Sequence, residues 1–411
     1  MAGTGGNVQT HKTQSLPFAG RRATGHTLLV DKVDRVGALI AILIAAALAF
    51  EPFVTFRANR IVSGKGLSLL DTFTASEARA AVAVLAAAAL FALLRSRAAW
   101  RLVVGIALLA GLALLVGYAP AHLVTDEHPL ARVSPAAGFW ILTFAFSMLV
   151  TDALAKLSPG PALRLAVLAL AWLALGALLG SGRWDGLSVM QEYAVHADNF
   201  WQEAARHIEL VVGSVAAAVA LGVPLGIACA KLPALRAVAL PVLNIVQTIP
   251  SIAMYGLMMV PLGLLAAHVP LAAALGIRGI GVAPALIALF LYSLLPVTAS
   301  VVVGLGQIPA HTAEAAVAMG MTPGQRLRSV ELPLALPVVL TGVRIVLVQN
   351  IGLATVAALI GGGGFGTFVF QGIGQSAIDL VLLGAAPTIG LALSAAVVFD
   401  AATEFIKGSR A

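Results

Sequence analysis

Apolar runs long enough to cross a lipid bilayer recur along the whole chain, and they constrain its fold more than any other feature. A membrane-spanning helix needs roughly 20 mostly apolar residues. Ten runs come close to this length, at residues 36–53, 78–94, 100–118, 136–152, 162–180, 207–230, 238–262, 281–304, 336–360 and 378–402. The apolar stretch 263–280 contains Pro270, Gly276 and Gly279, and is predicted to be re-entrant or interfacial instead of a plain loop. The pattern predicts an all-α, polytopic membrane protein with about ten transmembrane helices.

The composition agrees with this fold class. Of the 411 residues, 60% are hydrophobic and only 10% are charged, whereas a soluble globular domain carries about 25% charged residues. The net charge of +7 raises the question of a nucleic-acid partner. However, the basic residues stand singly between apolar runs and form no phosphate-binding patch. We therefore expect no nucleic acid among the partners and interpret these residues as determinants of membrane topology.

Lysine and arginine are distributed unequally between the two sets of alternate loops. With the N-terminus inside the cell, sixteen of the 25 basic residues fall in cytoplasmic segments and eight in external ones, and Arg344 lies within a run. Basic residues that flank spanning helices tend to stay in the cytoplasm. The bias therefore predicts that both termini are cytoplasmic.

A polar segment at residues 181–206 divides the chain, and its Trp184, Tyr193 and Trp201 suit a membrane interface. Before it the runs consist mostly of leucine and alanine with few polar residues, whereas after it glycine, proline and uncharged polar residues recur inside the runs. We therefore expect function in the second half. The sequence thus predicts a disordered cytoplasmic tail at 1–35, a five-helix membrane extension at 36–180, an external segment at 181–206 and a membrane core at 207–407.

No catalytic or metal-binding constellation stands out, and we predict a chain that is not an enzyme and binds no cofactor itself. The eight histidines are dispersed, and no phosphate-binding G-x-x-x-x-G-K-[ST] motif is present. Gly361, Gly363 and Gly366 fit G-x-G-x-x-G, but they lie between two spanning runs and outside any βαβ unit. We interpret Gly361, Gly363, Gly364 and Gly366 as a flexible external turn.

The most informative segment is the polar, amphipathic stretch 311–337, HTAEAAVAMGMTPGQRLRSVELPLALP, which is predicted to be cytoplasmic. Thr322-Pro323-Gly324 is predicted to break it into two short helices. Pro333 and Pro337 are expected to end the second helix and to begin the next span. A solvated loop would account for the charge of this segment but not for the order of its residues.

That order resembles the cytoplasmic coupling loop of ABC importer permeases, E-A-A, three residues, G, nine residues, I, one residue, L-P. Here the pattern has Val330 in place of isoleucine and otherwise matches throughout. In the family, this loop docks into a groove on the ATPase subunit. The resemblance therefore implies an ATPase interface formed by Glu314, Ala315, Ala316, Gly320, Leu332 and Pro333.

The resemblance covers roughly residues 205–405 and is closest to the glycine betaine, choline and osmoprotectant branch. Gln247-Thr248-Ile249-Pro250 and the turn at 361–366 carry it most clearly. After Pro296 many relatives have an Arg-Asn-Thr-like run, whereas this chain has Ala299, Ser300 and Val301. The family implies a type I-like permease core in the C-terminal half. The five leading helices fit a subgroup with a long N-terminal membrane extension, to which we assign no transport role.

The resemblance also implies the setting of the protein, a multi-pass position in the bacterial inner membrane surrounded by lipid. The implied partners are a cytoplasmic ABC ATPase that binds ATP and Mg²⁺, a second copy or a sibling permease, and an external solute-binding protein. The implied solute is glycine betaine, choline or a related osmoprotectant. Another small solute such as an amino acid is the alternative. An ion-coupled secondary transporter would need acidic residues in mid-span, and the runs have almost none.

Six residues within the runs are candidates for a gate or a translocation path. Arg344 lies about eight residues, or about 12 Å, into its span. It either lines a path, or snorkels to the inner headgroups or braces the coupling loop. Gln349 and Asn350 lie deeper, on other faces of the same helix. Gln247 and Pro250 form either a gate or a plain kink. Tyr292 either lines the path or packs in the core.

Overall fold

The computed structural model describes residues 34–59, 62–126 and 128–408. The predicted tail at 1–35 lies outside the described residues, apart from Asp34 and Arg35. The helices are α1 Arg35–Phe50, α2 Leu69–Thr72, α3 Ala75–Leu93, α4 Ala98–Leu123, α5 Ala137–Leu157, α6 Pro161–Gly180, α7 Ser188–Lys231, α8 Pro233–Thr248, α9 Ser251–His268, α10 Pro270–Ala274, α11 Val282–Gly306, α12 Ala310–Ala318, α13 Pro323–Arg326, α14 Leu332–Val356, α15 Gly366–Gly374 and α16 Ile378–Gly408. The strands are β1 Val54–Arg57, β2 Lys65–Leu67 and β3 Arg132–Pro135.

The predicted fold class is confirmed. Within the described ranges, nine helical segments are long and apolar enough to cross a membrane. Helix α1 is a shorter apolar helix of 16 residues, or about 24 Å at 1.5 Å per residue. It ends at Phe50, before the predicted limit of 53, because Pro52 follows and the chain continues into β1.

The N-terminal helices α1, α3, α4 and α5 pack around one apolar cluster that includes Ile40, Ile44, Leu112 and Phe146. Arg101 is fully buried at one end of this bundle, with Asp152 at 3.2 Å and Asp34 at 3.5 Å. Burial opposes ionisation of Asp34, but hydrogen bonds from Gly37 and Lys156 and the charge of Arg101 leave its pKa below the ordinary value. The Asp34 carboxylate therefore stays charged, and the contacts of Arg101 with Asp34 and Asp152 hold α1, α4 and α5 together.

Three short strands form a small antiparallel sheet in the order β2-β1-β3. Val54 pairs with Leu67 on one side and with Pro135 on the other. The strands connect the ends of α1, α4 and α5 on the side predicted to be external. Strands of three or four residues are too short for a two-residue periodicity to reveal, so the sequence did not indicate them.

The external segment predicted at 181–206 is mostly helical, because α7 begins at Ser188 and runs for 44 residues. Only residues 181–187 form a turn, in which Gly182 has a φ of +72°. The helix is interrupted at His196, where φ is −115° and ψ is 19°. Its polar first part therefore continues, across this break, into the apolar part predicted as a span.

The predicted run 238–262 is divided into α8 and α9 at Ile249-Pro250. Pro250 donates no backbone hydrogen bond and disfavours a helical conformation for the residue before it. The following stretch, predicted to be re-entrant or interfacial, contains the end of α9, the five-residue helix α10 and a turn at Gly276 with a φ of +77°.

The transport half is built around α7, α11, α14 and α16. Helices α7 and α11 lie so close at Gly226 that a Cβ atom there would be 2.6 Å from Val301 Cβ. Small residues at such crossings allow helices in a membrane to pack tightly. The residues after Pro296 that differ from many relatives take part in this packing, since Ser300 lies against Gly342 of α14 and Val301 is buried.

Candidate functional site

The first half of the predicted coupling segment is the short helix α12. It ends in a Schellman motif, in which the Met321 N–H donates to Ala316 O at 3.2 Å and the Gly320 N–H donates to Val317 O at 2.9 Å. Gly320 occupies the left-handed position with a φ of +79°, where glycine is favoured. The sequence order of this motif therefore produces a fixed corner.

The second half of the segment begins with a capping box. The Thr322 N–H donates to Gln325 Oε1 at 2.8 Å, and the Gln325 N–H donates to Thr322 Oγ1 at 3.3 Å. A π-helical turn at Leu327–Glu331 then leads directly into α14, and Arg326 pairs with Glu331 at 2.7 Å. The expected break at Pro333 and Pro337 is not present, since Pro333 lies in the first turn of α14 and Pro337 lies inside the helix.

The residues predicted to bind an ATPase are arranged as an exposed corner with a buried anchor. Ala316 is buried, Leu332 and Pro333 are half-buried, and Glu314, Ala315 and Gly320 are exposed. Two apolar side chains that sequence reasoning did not select, Val317 and Met319, are 55% and 69% exposed beside them. A carboxylate beside exposed apolar side chains on a short, rigid helix is a suitable docking surface for another protein.

Gln247, Pro250 and Tyr292 meet at the break between α8 and α9. Gln247 Nε2 donates to Tyr292 O at 3.0 Å, and the Tyr292 hydroxyl donates to Ile249 O. The second bond satisfies the Ile249 carbonyl, which the interrupted helix leaves without an intrahelical partner. The hydroxyl of Tyr255, which sequence reasoning did not select, donates to Leu353 O on α14 at 3.1 Å. The break is thereby fixed to both α11 and α14.

Asn350 lies elsewhere, in the fully buried interface of α7, α11 and α14. Its Nδ2 donates to Ser214 Oγ and to Ser293 Oγ, each at 2.8 Å. Both serines are buried and were missed by sequence reasoning, since a single serine in an apolar run gives little signal. In this conformation Asn350 connects three helices through hydrogen bonds and is shielded from solvent.

Arg344 forms an ion pair with Asp400 of α16, and both side chains are partly exposed. Gln349 is half-buried on α14. The three polar residues of α14 therefore have different surroundings, as their spacing predicted, and the structure does not bring them onto one surface. Asp400 was missed because its partner lies 56 residues away in the sequence.

The glycine-rich turn connects α14 to α15. Gly361, Gly363 and Gly364 all have positive φ angles between 76° and 85°. The Gly364 N–H donates to the Glu203 carboxylate of α7, and the same glycine lies against the His207 ring. Gly366 begins α15 at a point where a Cβ atom would lie 1.8 Å from Thr355 O. Glu203 thus holds a turn that its glycines alone would leave unrestrained.

Comparison with known proteins places both halves of the chain. Residues 34–190 match the family described as ABC transporter permease YehY, N-terminal domain. Residues 222–407 match the family described as binding-protein-dependent transport system inner membrane component.

Individual relatives match over slightly less than half of the chain. The osmoprotectant import permease protein OsmW of Salmonella typhimurium is 42% identical over 180 residues, which is 44% of this chain and 79% of the relative. The choline transport system permease protein OpuBB of Bacillus subtilis is 35% identical over 187 residues, 46% of this chain and 79% of the relative. A solved structure of the MetNI methionine ABC transporter, inward-facing, has 22% identity and a TM-score of 0.44 over 51% of this chain and 95% of that chain.

The helical architecture and these matches define a membrane-spanning permease subunit of an ABC transporter. The chain belongs to the binding-protein-dependent importer permeases, in the branch that contains the osmoprotectant and choline permeases.

Proposed function

We propose that this chain imports glycine betaine, choline or a related osmoprotectant across the bacterial inner membrane by alternating access. The observation that carries the proposal is the 42% identity to a permease named for osmoprotectant import. Solute recognition would rest mainly on a separate external binding protein, where aromatic side chains can hold a quaternary ammonium group by cation–π contacts.

The energy would come from a separate ATPase that binds ATP and Mg²⁺. Its docking surface would be the exposed corner of α12, with Glu314, Ala315 and Gly320 in contact and Val317 and Met319 beside them. Leu332 and Pro333 would transmit the movement into α14, since they form its first turn. The rigid Schellman turn supports this role, because a loose loop would absorb the movement. A second copy of this chain or a sibling permease would complete the path.

The break at Ile249-Pro250 is our proposed gate. A helix that is interrupted in mid-membrane and fixed by only a few hydrogen bonds can move at that point without unfolding. Gln247 and Tyr292 supply two of these bonds. For Arg344 we propose a brace between α14 and α16, because its charge is paired with Asp400. Gln349 and Asn350 would reach the path only in another conformation of the helices.

Uptake of radiolabelled solute tests the proposed substrate. Cells that lack other betaine uptake systems and express this chain with its partner subunits are expected to accumulate glycine betaine or choline. An otherwise identical strain without the ATPase gene is the control. Accumulation of an amino acid in place of both compounds would rule out the osmoprotectant assignment and leave the transporter class intact.

Thiol labelling tests the predicted orientation. Cys229 is the single cysteine of the sequence and is buried, so Cys229→Ala provides a background without reactive thiols. Asp185→Cys and Gln325→Cys then place exposed thiols on opposite sides of the membrane. A membrane-impermeant maleimide applied to intact spheroplasts is expected to label position 185 and to spare 325. Labelling of 325 from outside would reverse the topology.

A further inference from the structure

Four charged side chains meet where the small sheet of the extension contacts the transport half. Arg57 of β1 lies with Nη1 at 3.5 Å from Oδ2 of Asp379, in the first turn of α16. Arg132 of β3 lies with Nη1 at 3.2 Å from Oε1 of Glu192, in the first part of α7. We call these four residues the outer charge quartet. Each of its pairs joins a strand of the extension to a helix that continues into the transport core.

The two carboxylates of the quartet are removed from water. Asp379 is 5% exposed and Glu192 is 3% exposed. A buried carboxylate strongly destabilises a protein if its partner is removed, whereas an exposed ion pair contributes little. The quartet is therefore unlike the pair formed by Arg206 and Glu209, whose side chains are 42% and 56% exposed.

The arginines are placed where the sheet alone would disfavour them. Arg57 and Arg132 are directly opposite each other in the register of β1 and β3. Like charges in this position destabilise an antiparallel pair. Two carboxylates from the neighbouring helices remove this repulsion, and the arginines in turn allow the carboxylates to be buried. The sheet and the helix ends therefore depend on each other.

The quartet holds the ends of two helices that surround the glycine-rich turn. Helix α7 is interrupted at His196, one turn after Glu192, and His196 Nδ1 lies 3.8 Å from Glu192 Oε2. The His196 ring also contacts Phe368 of α15, with 6.1 Å between ring centroids. Asp379 lies in the first turn of α16. Helix α16 packs on α15, which is the helix that follows the glycine-rich turn. Holding the outer ends of α7 and α16 therefore holds the helices between which the glycine-rich turn lies.

We propose that the quartet locks the sheet of the N-terminal extension onto the outer ends of α7 and α16, and that the extension thereby positions these ends during transport. The proposal rests on the proposed function, because it assigns the extension a part in the transport cycle. Arg57 and Arg132 act as positioning residues, since they reach the path only through the helices that they hold.

A buried serine beside the quartet reports whether the contact is closed. Ser134 lies on β3 and is 3% exposed. In the Cys229→Ala background of the full chain, Ser134→Cys is expected to react slowly with a maleimide. Adding Arg57→Gln removes the ion-pair partner of Asp379, and the labelling rate should rise about tenfold or more. Glu209→Ala, which breaks the exposed pair of Arg206 and Glu209 on α7, is the control and should change nothing.

The reversed pair, Arg57→Asp with Asp379→Arg, separates pairing from general damage to the fold. It keeps two charges of each sign and places each new side chain beside an opposite charge, Arg132 or Glu192. Slow labelling is expected to return in this double variant. The double variant also decides the test if Arg57→Gln does not accumulate in the membrane. A double variant that accumulates and is labelled slowly supports the pairing. A double variant that is absent, or that is labelled rapidly, overturns it.

The transport consequence is measured in proteoliposomes that contain the ATPase and the binding protein. Arg57→Gln should retain its ATPase, because the coupling segment lies on the other side of the membrane, but should move at least about threefold less solute per ATP hydrolysed. A merely less stable protein would lose both activities in proportion. An unchanged labelling rate or an unchanged ratio would overturn the positioning role. If the wild-type chain moved no osmoprotectant, the proposed function would fail, while the labelling result would still decide whether the quartet closes the contact.

Discussion

Replacing Gly320 with tryptophan is expected to abolish transport and to release the ATPase, while the permease still inserts in the membrane at normal abundance. Gly320 is exposed, and no atom of the described chain lies within 4 Å of the position that its Cβ would take. The large side chain would therefore project from the corner of α12 toward a docked partner. Interface substitutions that matter cost about 2 kcal/mol or more, which is about thirtyfold in affinity.

The positive φ of Gly320 offers a competing explanation, since any other residue strains the turn. Gly276 is the matched control, because its φ is +77° against +79° for Gly320, and it too has open space around its Cβ position. Gly276→Trp lies on the predicted external side and is expected to retain the ATPase. Co-purification in mild detergent, followed by uptake in cells, measures both outcomes. Full transport by Gly320→Trp would remove α12 as the coupling element.

Glu314→Ala is expected to act in the same direction but more weakly. Glu314 is exposed on the same corner, and a single exposed charge usually contributes little to binding. A gradient from Gly320→Trp through Glu314→Ala to the wild type would locate the docking surface on α12. An equal loss for both variants would indicate instead that the whole segment had unfolded.

The membrane spans could be predicted from the sequence because each of them is a local property. A run of about 20 apolar residues is long enough to cross the bilayer as a helix, and this is the structure that such a run predicts. The division of the coupling segment into two short helices could also be predicted, although the break lies just before Pro323 and not at Pro323-Gly324. The Schellman motif and the capping box of Thr322 and Gln325 that form this break involve residues only three to five positions apart. Hydrogen bonds between residues that are close in the sequence can be inferred from a short sequence pattern.

The contacts between distant segments could not be predicted in this way. Asn350 pairs with Ser214 and Ser293, which are 136 and 57 residues away. Arg101 was interpreted as a topology determinant of a cytoplasmic loop, yet its side chain is fully buried between two carboxylates. The pairing of such residues depends on how the helices pack, and a single sequence holds no record of that packing.

The different roles of the glycines at 361–366 also could not be predicted from the sequence. Sequence reasoning treated them alike, as sources of flexibility. In the structure, Gly361, Gly363 and Gly364 supply positive φ angles, whereas Gly366 is needed because another part of the backbone lies against it. A substitution should therefore act at Gly366 through a clash, independently of any preference for a left-handed conformation.

Gly366→Ala is expected to produce the largest loss of folded protein among single-methyl changes in this region. Its Cβ would lie 1.8 Å from Thr355 O and 2.7 Å from Thr355 C, and both of these are backbone atoms at the end of α14. Overpacking typically costs about 1–3 kcal/mol. We expect the upper end of this range, because backbone cannot rotate away as a side chain can. Helix α15 would be pushed from α14, and the bond from Gly364 to Glu203 would be lost with it.

Gly374 is the matched control at the other end of the same helix. Among the described residues, no atom outside its chain neighbours and its own helix backbone lies within 4 Å of its Cβ position. Gly374→Ala therefore meets no clash and should stabilise the helix by about 0.4–1 kcal/mol. The two variants add the same methyl group to α15 and are expected to shift the melting temperature of the detergent-solubilised protein in opposite directions. A normal yield and an unchanged melting temperature for Gly366→Ala would contradict the close approach of α14 and α15. A lower melting temperature in both variants would indicate that α15 tolerates no added methyl group at either end. The close approach to Thr355 predicts a loss of stability in Gly366→Ala alone.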